Sequence, residues 1–380
     1  MIVARRSRSQ YLFAVIALSF ASLHCVAQTP ATSVPRPTPP GEAQEPVRVF
    51  TEEVLVPVFV RDSKGHFDPT LEADDLLVFE DDVSQQIRSL RRVPSSVLLL
   101  LDTSGELNPA MKTNTTREVA INLINNLSPG DSMGAIQFGT SAELLQDWTT
   151  EKEQIVRALK MKLSSSKRAH LPEALIAATS QLHKVSAGSR HVVLITDGVG
   201  SANDELRLSS AIRELLSTNA TVHVISYTSI GRKTITRRTP LVKVTNKKRK
   251  SAKDIADELM NPTAPWDEIR RRKLYVIIDT DLSMRNRRKD YKDATKDSER
   301  WLGDLADETG GLMLLPGSTP EMLRQGEMIA REIDTQYVVA YAPKNSLATA
   351  ADGEYRRIKV AARRGGLEVR TRRGYVATSR

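Results

Sequence analysis

From residue 96 onward, short apolar-rich runs alternate with longer stretches of amphipathic spacing. The runs at 97–101, 132–138, 191–196 and 221–227 lack the regular polar alternation of a half-exposed strand. Such runs fit strands buried on both faces of a parallel sheet. Between them the pattern predicts helices at about 113–127, 151–160, 171–184 and 204–217, and a short strand near 142–147. Strands and helices alternating at these lengths imply an α/β fold, a doubly wound, mostly parallel sheet covered on both faces. Further on, 274–279 reads as another buried strand and 296–309 as a helix ended by left-handed capping at Gly310-Gly311. A last parallel strand at 312–315 and a closing helix at 319–334 complete this part.

The flanks read differently. Segments 54–60, 76–80 and 86–90 are strand candidates, and so are 336–341, 355–360 and 367–370 near the other end. They are expected to pack together as one small β-sandwich-like module. The domain reading is therefore a β segment at 47–95, an α/β domain at 96–334 with a basic insertion at about 229–273, and a C-terminal β segment at 335–380 that packs on the first.

Arg5, Arg6 and Arg8 precede an apolar stretch, Tyr11 to Leu23, and Cys25-Val26-Ala27 offers a small-residue cleavage site. This is a secretory signal layout at 1–27, and the apolar stretch is short for a membrane span. Export to a periplasm or the exterior is expected. Leu23 and His24 are poor neighbours for a lipid-modified Cys25, so a membrane-anchored form is disfavoured. Cleavage after Ala27 would remove the single cysteine and three arginines, taking the net charge from +9 to +6. A proline-rich linker follows at 28–46.

Ten Lys or Arg and no acid lie between Arg232 and Lys253. The stretch reads as a long loop or an inserted hairpin around 241–244. In an exported protein it would suit lipid head groups, an anionic envelope polymer or an acidic protein. Its other reading is a solvated loop without a partner. Aromatics make up 5 % of the chain, too few for a stacking platform, and nucleic acid is not an expected partner.

Candidate chemistry sits where two apolar runs stop. Ser96 to Glu106 ends in Asp102-Thr103-Ser104-Gly105-Glu106, and Arg190 to Gly198 ends in Thr196-Asp197-Gly198. Ligands of open α/β sheets bind beyond the carboxyl ends of the strands, which puts Asp102, Ser104 and Asp197 at the binding edge. Oxygen donors without His or Cys suit a hard divalent cation such as Mg²⁺. The alternative is that both carboxylates merely cap loops or helices. Asp279-Thr280-Asp281 also follows an apolar strand and is a weaker echo of the same pattern. The six histidines, 24, 66, 170, 183, 191 and 223, lack metal-ligand spacing. Ser104 lacks the Gly-x-Ser-x-Gly elbow of the α/β hydrolases.

These residues resemble the von Willebrand factor type A domain. Asp102-Thr103-Ser104-Gly105-Glu106 is similar to the Asp-x-Ser-x-Ser signature of its metal-ion-dependent adhesion site, and Asp197 matches the aspartate of the fourth buried strand. Glu106 stands in place of the second serine. Ala169 stands where the loop threonine belongs, and Lys167 and Arg168 replace the two glycines before it. The resemblance implies a degenerate metal site of Asp102, Ser104, Glu106 and Asp197. A cation there would be completed by a carboxylate from a protein partner, whereas Lys167 and Arg168 nearby would repel it. The layout from 47 to 377 also resembles exported bacterial proteins of the type A group, with Val78-Phe79-Glu80-Asp81, Leu305 to Gly311, Gln336-Tyr337-Val338 and Arg373-Gly374-Tyr375 as marks. The function implied is non-enzymatic protein binding. The alternatives are a cation-dependent hydrolase of anionic esters using Asp102, Glu106 and Asp197, and a structural envelope scaffold.

Overall fold

The structure is a computed structural model that describes residues 52–104, 109–166, 168–199, 205–237, 282–351 and 353–377. The signal and linker segments, Glu106, Lys167 and the stretch 238–281 lie outside the described residues. So do the strand expected at 274–279, the hairpin expected around 241–244 and the Asp279-Thr280-Asp281 motif.

The central layer is a six-stranded sheet. Its strands are β5 (Ser96–Asp102), β6 (Ser132–Phe138), β7 (Ala142–Thr149), β8 (Arg190–Thr196), β9 (Thr221–Ser226) and β10 (Met313–Leu314). They run in the order β10-β9-β8-β5-β6-β7, all pairs parallel except β6 with the edge strand β7. Helices α1 (Pro109–Asn126), α2 (Lys152–Met161) and α7 (Thr319–Asp334) contribute to the apolar cluster on one face. Helices α3 (Leu171–Leu182), α4 (Glu205–Ser217) and α6 (Leu282–Thr309) contribute to the cluster on the other.

Strand β5 shows why this layer is doubly covered. Val97, Leu99 and Leu101 enter the first cluster, Leu98 and Leu100 the second, and all five are buried. Alternate residues point to opposite faces, so an all-apolar strand requires cover on both.

Two departures from the sequence reading concern helices. The first part of the expected basic loop is helical, forming α5 (Thr228–Arg237). Helix α6 begins at Leu282 rather than near 296. The helix stop behaves as its sequence suggests: Gly310 has φ +74° directly after α6, a left-handed conformation that glycine adopts without strain. Gly311 then passes the backbone of β9 so closely that a Cβ there would lie 1.8 Å from the Val222 carbonyl oxygen. Backbone cannot swing aside as a side chain would. Gly311→Ala is expected to cost about 1–3 kcal/mol, read as a lowered urea midpoint with an unchanged slope.

Two antiparallel sheets are built from both ends of the described chain. One has the order β13-β1-β11-β4, from β1 (Val54–Asp62), β4 (Ile87–Arg91), β11 (Tyr337–Tyr341) and β13 (Leu367–Thr371). The other has the order β14-β12-β2-β3, from β2 (Leu76–Glu80), β3 (Val83–Gln85), β12 (Tyr355–Ala362) and β14 (Gly374–Val376). Val56, Val58, Val78, Val339, Tyr341 and Ile358 share one buried cluster between them. Inside it, Glu80 is fully buried and accepts from Tyr341 Oη (2.5 Å), Tyr375 Oη (3.0 Å) and Arg356 Nη1 (3.1 Å).

The sandwich meets the α/β layer at the amino ends of β8 and β9. Arg61 and Arg370 both pair with Glu332 of α7, which is buried. Arg370 also lies over the Phe59 ring, 4.4 Å from its centroid.

Candidate functional site

The carboxyl ends of β5 and β8 are neighbours, and the loops leaving them carry the expected acids. Asp102 is fully buried and Asp197 nearly so. Asp102 Oδ1 accepts from the Ser104 amide (2.9 Å) and the Ser104 hydroxyl (2.6 Å), and its Oδ2 accepts from Thr196 Oγ1 (2.7 Å). Asp197 Oδ1 accepts from the Val199 amide (3.1 Å). The adjoining loop runs alongside: the Ser166 amide donates to the Thr103 carbonyl (2.9 Å), and the His170 amide to Gly139 (2.9 Å).

Three of the four predicted ligands, Asp102, Ser104 and Asp197, thus lie together at one edge of the sheet. The fourth, Glu106, lies outside the described residues. Ala169 is buried and packs into the apolar cluster with Leu171 and Leu175, so its position offers no oxygen. Arg168 is exposed, and the cation close to the carboxylates is a different residue, Lys112.

Lys112 lies in the first turn of α1. Side chains of a helix lean toward its N-terminus, which sends this one back over the strand ends. Its Nζ is 3.3 Å from Asp102 Oδ2, 3.4 Å from Asp197 Oδ2 and 3.5 Å from Ser104 Oγ. It also sits 4.3 Å from the centroid of the Tyr227 ring, a cation–π contact. A cation in a first helical turn opposes the helix dipole, so the two carboxylates supply the compensation that position lacks. One sign was present in the sequence: a lysine ten residues past Asp102, in a helix whose first turn holds no acid.

Burial raises the Asp197 carboxyl above the usual range; Lys112 opposes the rise and the nearby Asp102 adds to it. Helix α6 flanks the same edge. Ser298 Oγ donates to the Asp197 carbonyl (2.6 Å), and a Cβ on Gly198 would meet Leu302 at 2.7 Å. Burial also raises the Tyr291 hydroxyl, with Asp197 and Asp102 adding to the rise.

Of the basic residues in α5, Arg232 pairs with Glu299 (2.5 Å), and Lys233 Nζ donates to the Gly317 carbonyl (3.1 Å). Among the described residues no group of three or more His, Cys, Asp or Glu side chains is arranged to hold a metal ion. Also among them, no helix is long and apolar enough to cross a membrane.

A doubly wound sheet with acidic and hydroxyl side chains gathered at its carboxyl edge defines an α/β domain whose candidate site lies where open sheets of this kind bind ligands. Residues 96–259 match the von Willebrand factor type A domain family. The chain carries a von Willebrand factor type A domain, a fold that mediates protein–protein interactions.

Solved structures similar to this chain include a von Willebrand factor type A protein from Catenulispora acidiphila, at 9 % identity. That match covers 84 % of this chain and 71 % of that one, with TM-score 0.42. An aerotolerance-related membrane protein from Bacteroides fragilis is 14 % identical over 63 % of this chain and 98 % of its own, with TM-score 0.38. Proximal thread matrix protein 1 from the mussel byssus, with a zinc-occupied adhesion-site motif, is 17 % identical over 36 % and 38 %, with TM-score 0.32. No curated protein matches the chain.

Proposed function

We propose that this is an exported, non-enzymatic protein-binding module that presents the carboxyl edge of its type A sheet to a protein partner. The observation that carries this reading is the convergence of Asp102, Ser104 and Asp197, from two distant chain segments, at that edge. Exposed Thr140 and Arg168 rim the same edge: the Thr140 amide donates to Ser166 Oγ (2.9 Å), in the loop that ends at Ala169. Export rests on the arginines and apolar stretch of residues 5–23. The basic stretch 232–253 is a second contact region in this reading, suited to an anionic envelope polymer or lipid.

Site-specific photo-crosslinking tests the proposal. A photoreactive residue at Thr140 or Arg168, in the cells that make the protein, should trap the same protein from both positions. The same residue at Lys184, exposed beyond the end of α3 near the opposite edge, should trap none of it. Equal trapping from Lys184, or none from the rim, would remove the recognition surface.

A further inference from the structure

We infer that the Lys112 ammonium is the resident cation of this type A site, so that the site takes no divalent ion. The donor set explains why. An ammonium has three N–H donors, and Lys112 has three oxygen acceptors within 3.5 Å: Asp102 Oδ2, Asp197 Oδ2 and Ser104 Oγ. The Tyr227 ring lies against the same ammonium. These are the oxygens a divalent ion would need, and the ammonium sits among them. The remaining carboxylate oxygens are also engaged: Asp102 Oδ1 by Ser104 and Asp197 Oδ1 by the Val199 amide.

The loop position that would add a hydroxyl oxygen holds Ala169, packed in the apolar cluster instead. A divalent ion brought to this place would meet a positive charge at contact distance, in a nearly dry setting where screening is weak. Lys112 has only 14 % of its side chain exposed, and Asp102 none. Among the described residues the donor set therefore does not fit the metal of the family, and the cation-dependent hydrolysis considered from the sequence loses that metal position.

The substitution also changes what the edge can receive. Two carboxylates with a divalent ion are neutral, whereas two carboxylates with one ammonium carry a surplus negative charge. A partner carboxylate would meet that surplus, and a neutral or basic group suits it better. This consequence rests on the reading of the edge as a recognition surface; the occupancy of the site by Lys112 does not.

The test is titration of the full chain with Mn²⁺ after chelator treatment, read by calorimetry and by thermal midpoint. The wild-type protein should show no saturable heat and an unchanged midpoint. Lys112→Ala empties the position while leaving Asp102, Ser104 and Asp197 in place. It should bind Mn²⁺ at least about tenfold more tightly than wild type, and its midpoint should rise with Mn²⁺, as expected when a ligand binds only the folded state. Lys112→Met, which keeps most of the stem without the charge, gives the same comparison if the alanine variant does not fold.

Saturable Mn²⁺ binding by the wild type, lost in Asp102→Asn, would overturn the inference. So would Lys112 variants that fold and still ignore Mn²⁺. No partner is present in this titration, so its outcome and that of the crosslinking at Thr140 and Arg168 are independent.

Discussion

Arg356→Met should destabilise the folded protein by about 3–5 kcal/mol, the usual result of stripping one partner from a buried ion pair. Arg356 is 3 % exposed and Glu80 fully buried. The arginine donates to Glu80 Oε1 (3.1 Å), Glu354 Oε1 (2.7 Å), the Asn345 carbonyl (2.7 Å) and the Ser346 carbonyl (3.1 Å). Removing it leaves the Glu80 carboxylate between two sheets with, among the described residues, the hydroxyls of Tyr341 and Tyr375 as its remaining side-chain donors. Tyr341→Phe removes one neutral donor and should cost less, about 1–3 kcal/mol. The double variant Glu80→Gln with Arg356→Met should cost less than the sum of its parts, because the second change removes the charge that the first strands. Urea unfolding of the wild type, the three single variants Arg356→Met, Glu80→Gln and Tyr341→Phe, and the double variant measures all three statements; a full-cost, additive double variant would show that the pair is not coupled.

The pieces of this network were visible in the strand pattern, but their meeting was not. In β12, Arg356 falls in phase with buried Ile358 and Val360; in β2, Glu80 falls in phase with buried Leu76 and Val78. A charge on the inward phase of a strand calls for a buried partner. The partners lie 276 positions apart, a pairing that no local pattern encodes. The same contrast runs through the rest of the molecule. Strands β5 and β8 were legible because their cores, Val97–Leu101 and Val192–Ile195, are unbroken apolar runs, whereas the first half of α6 was not. Its sequence from Met284 to Lys292 is dense in Arg, Lys and Asp, and apolar spacing is the main signal for a helix. At the site, the two aspartates and the serine were legible from strand ends and from the resemblance. Lys112 was not, because a lysine in an early helical turn is ordinarily a solvated surface residue. Its role depends on tertiary packing that brings β8 beside β5 and places Tyr227 beneath the ammonium.

Acid should unfold the wild type far more readily than His191→Gln, and the difference should grow below pH 6.5. His191 is completely buried at the junction of the two parts. Its Nε2 meets Ser189 Oγ (2.9 Å), which donates to Gln336 Oε1 (2.8 Å), and its Nδ1 faces His223 Nε2 (3.3 Å). Burial depresses its pKa from 6.5 to about 3; the nearby Gln336 side chain opposes the shift and the Arg370 charge adds to it. Burial also holds His223 well below its ordinary value, with His191 and Arg370 adding to the effect. Between pH 6.5 and 3 the unfolded chain therefore binds a proton at position 191 that the folded chain refuses. Stability is complete above the unfolded pKa and falls as pH drops, by about 1.4 kcal/mol per unit for one histidine. At pH 4.5, two units below the unfolded value, His191 alone should have cost about 3 kcal/mol. Glutamine does not titrate, so the loss of stability between pH 7 and pH 4.5 should be smaller by about that amount in His191→Gln. Carboxylate contributions are common to both proteins and cancel in the comparison. Equal losses in urea unfolding at the two pH values would mean that the histidine takes up its proton without unfolding the chain, and that the junction admits water.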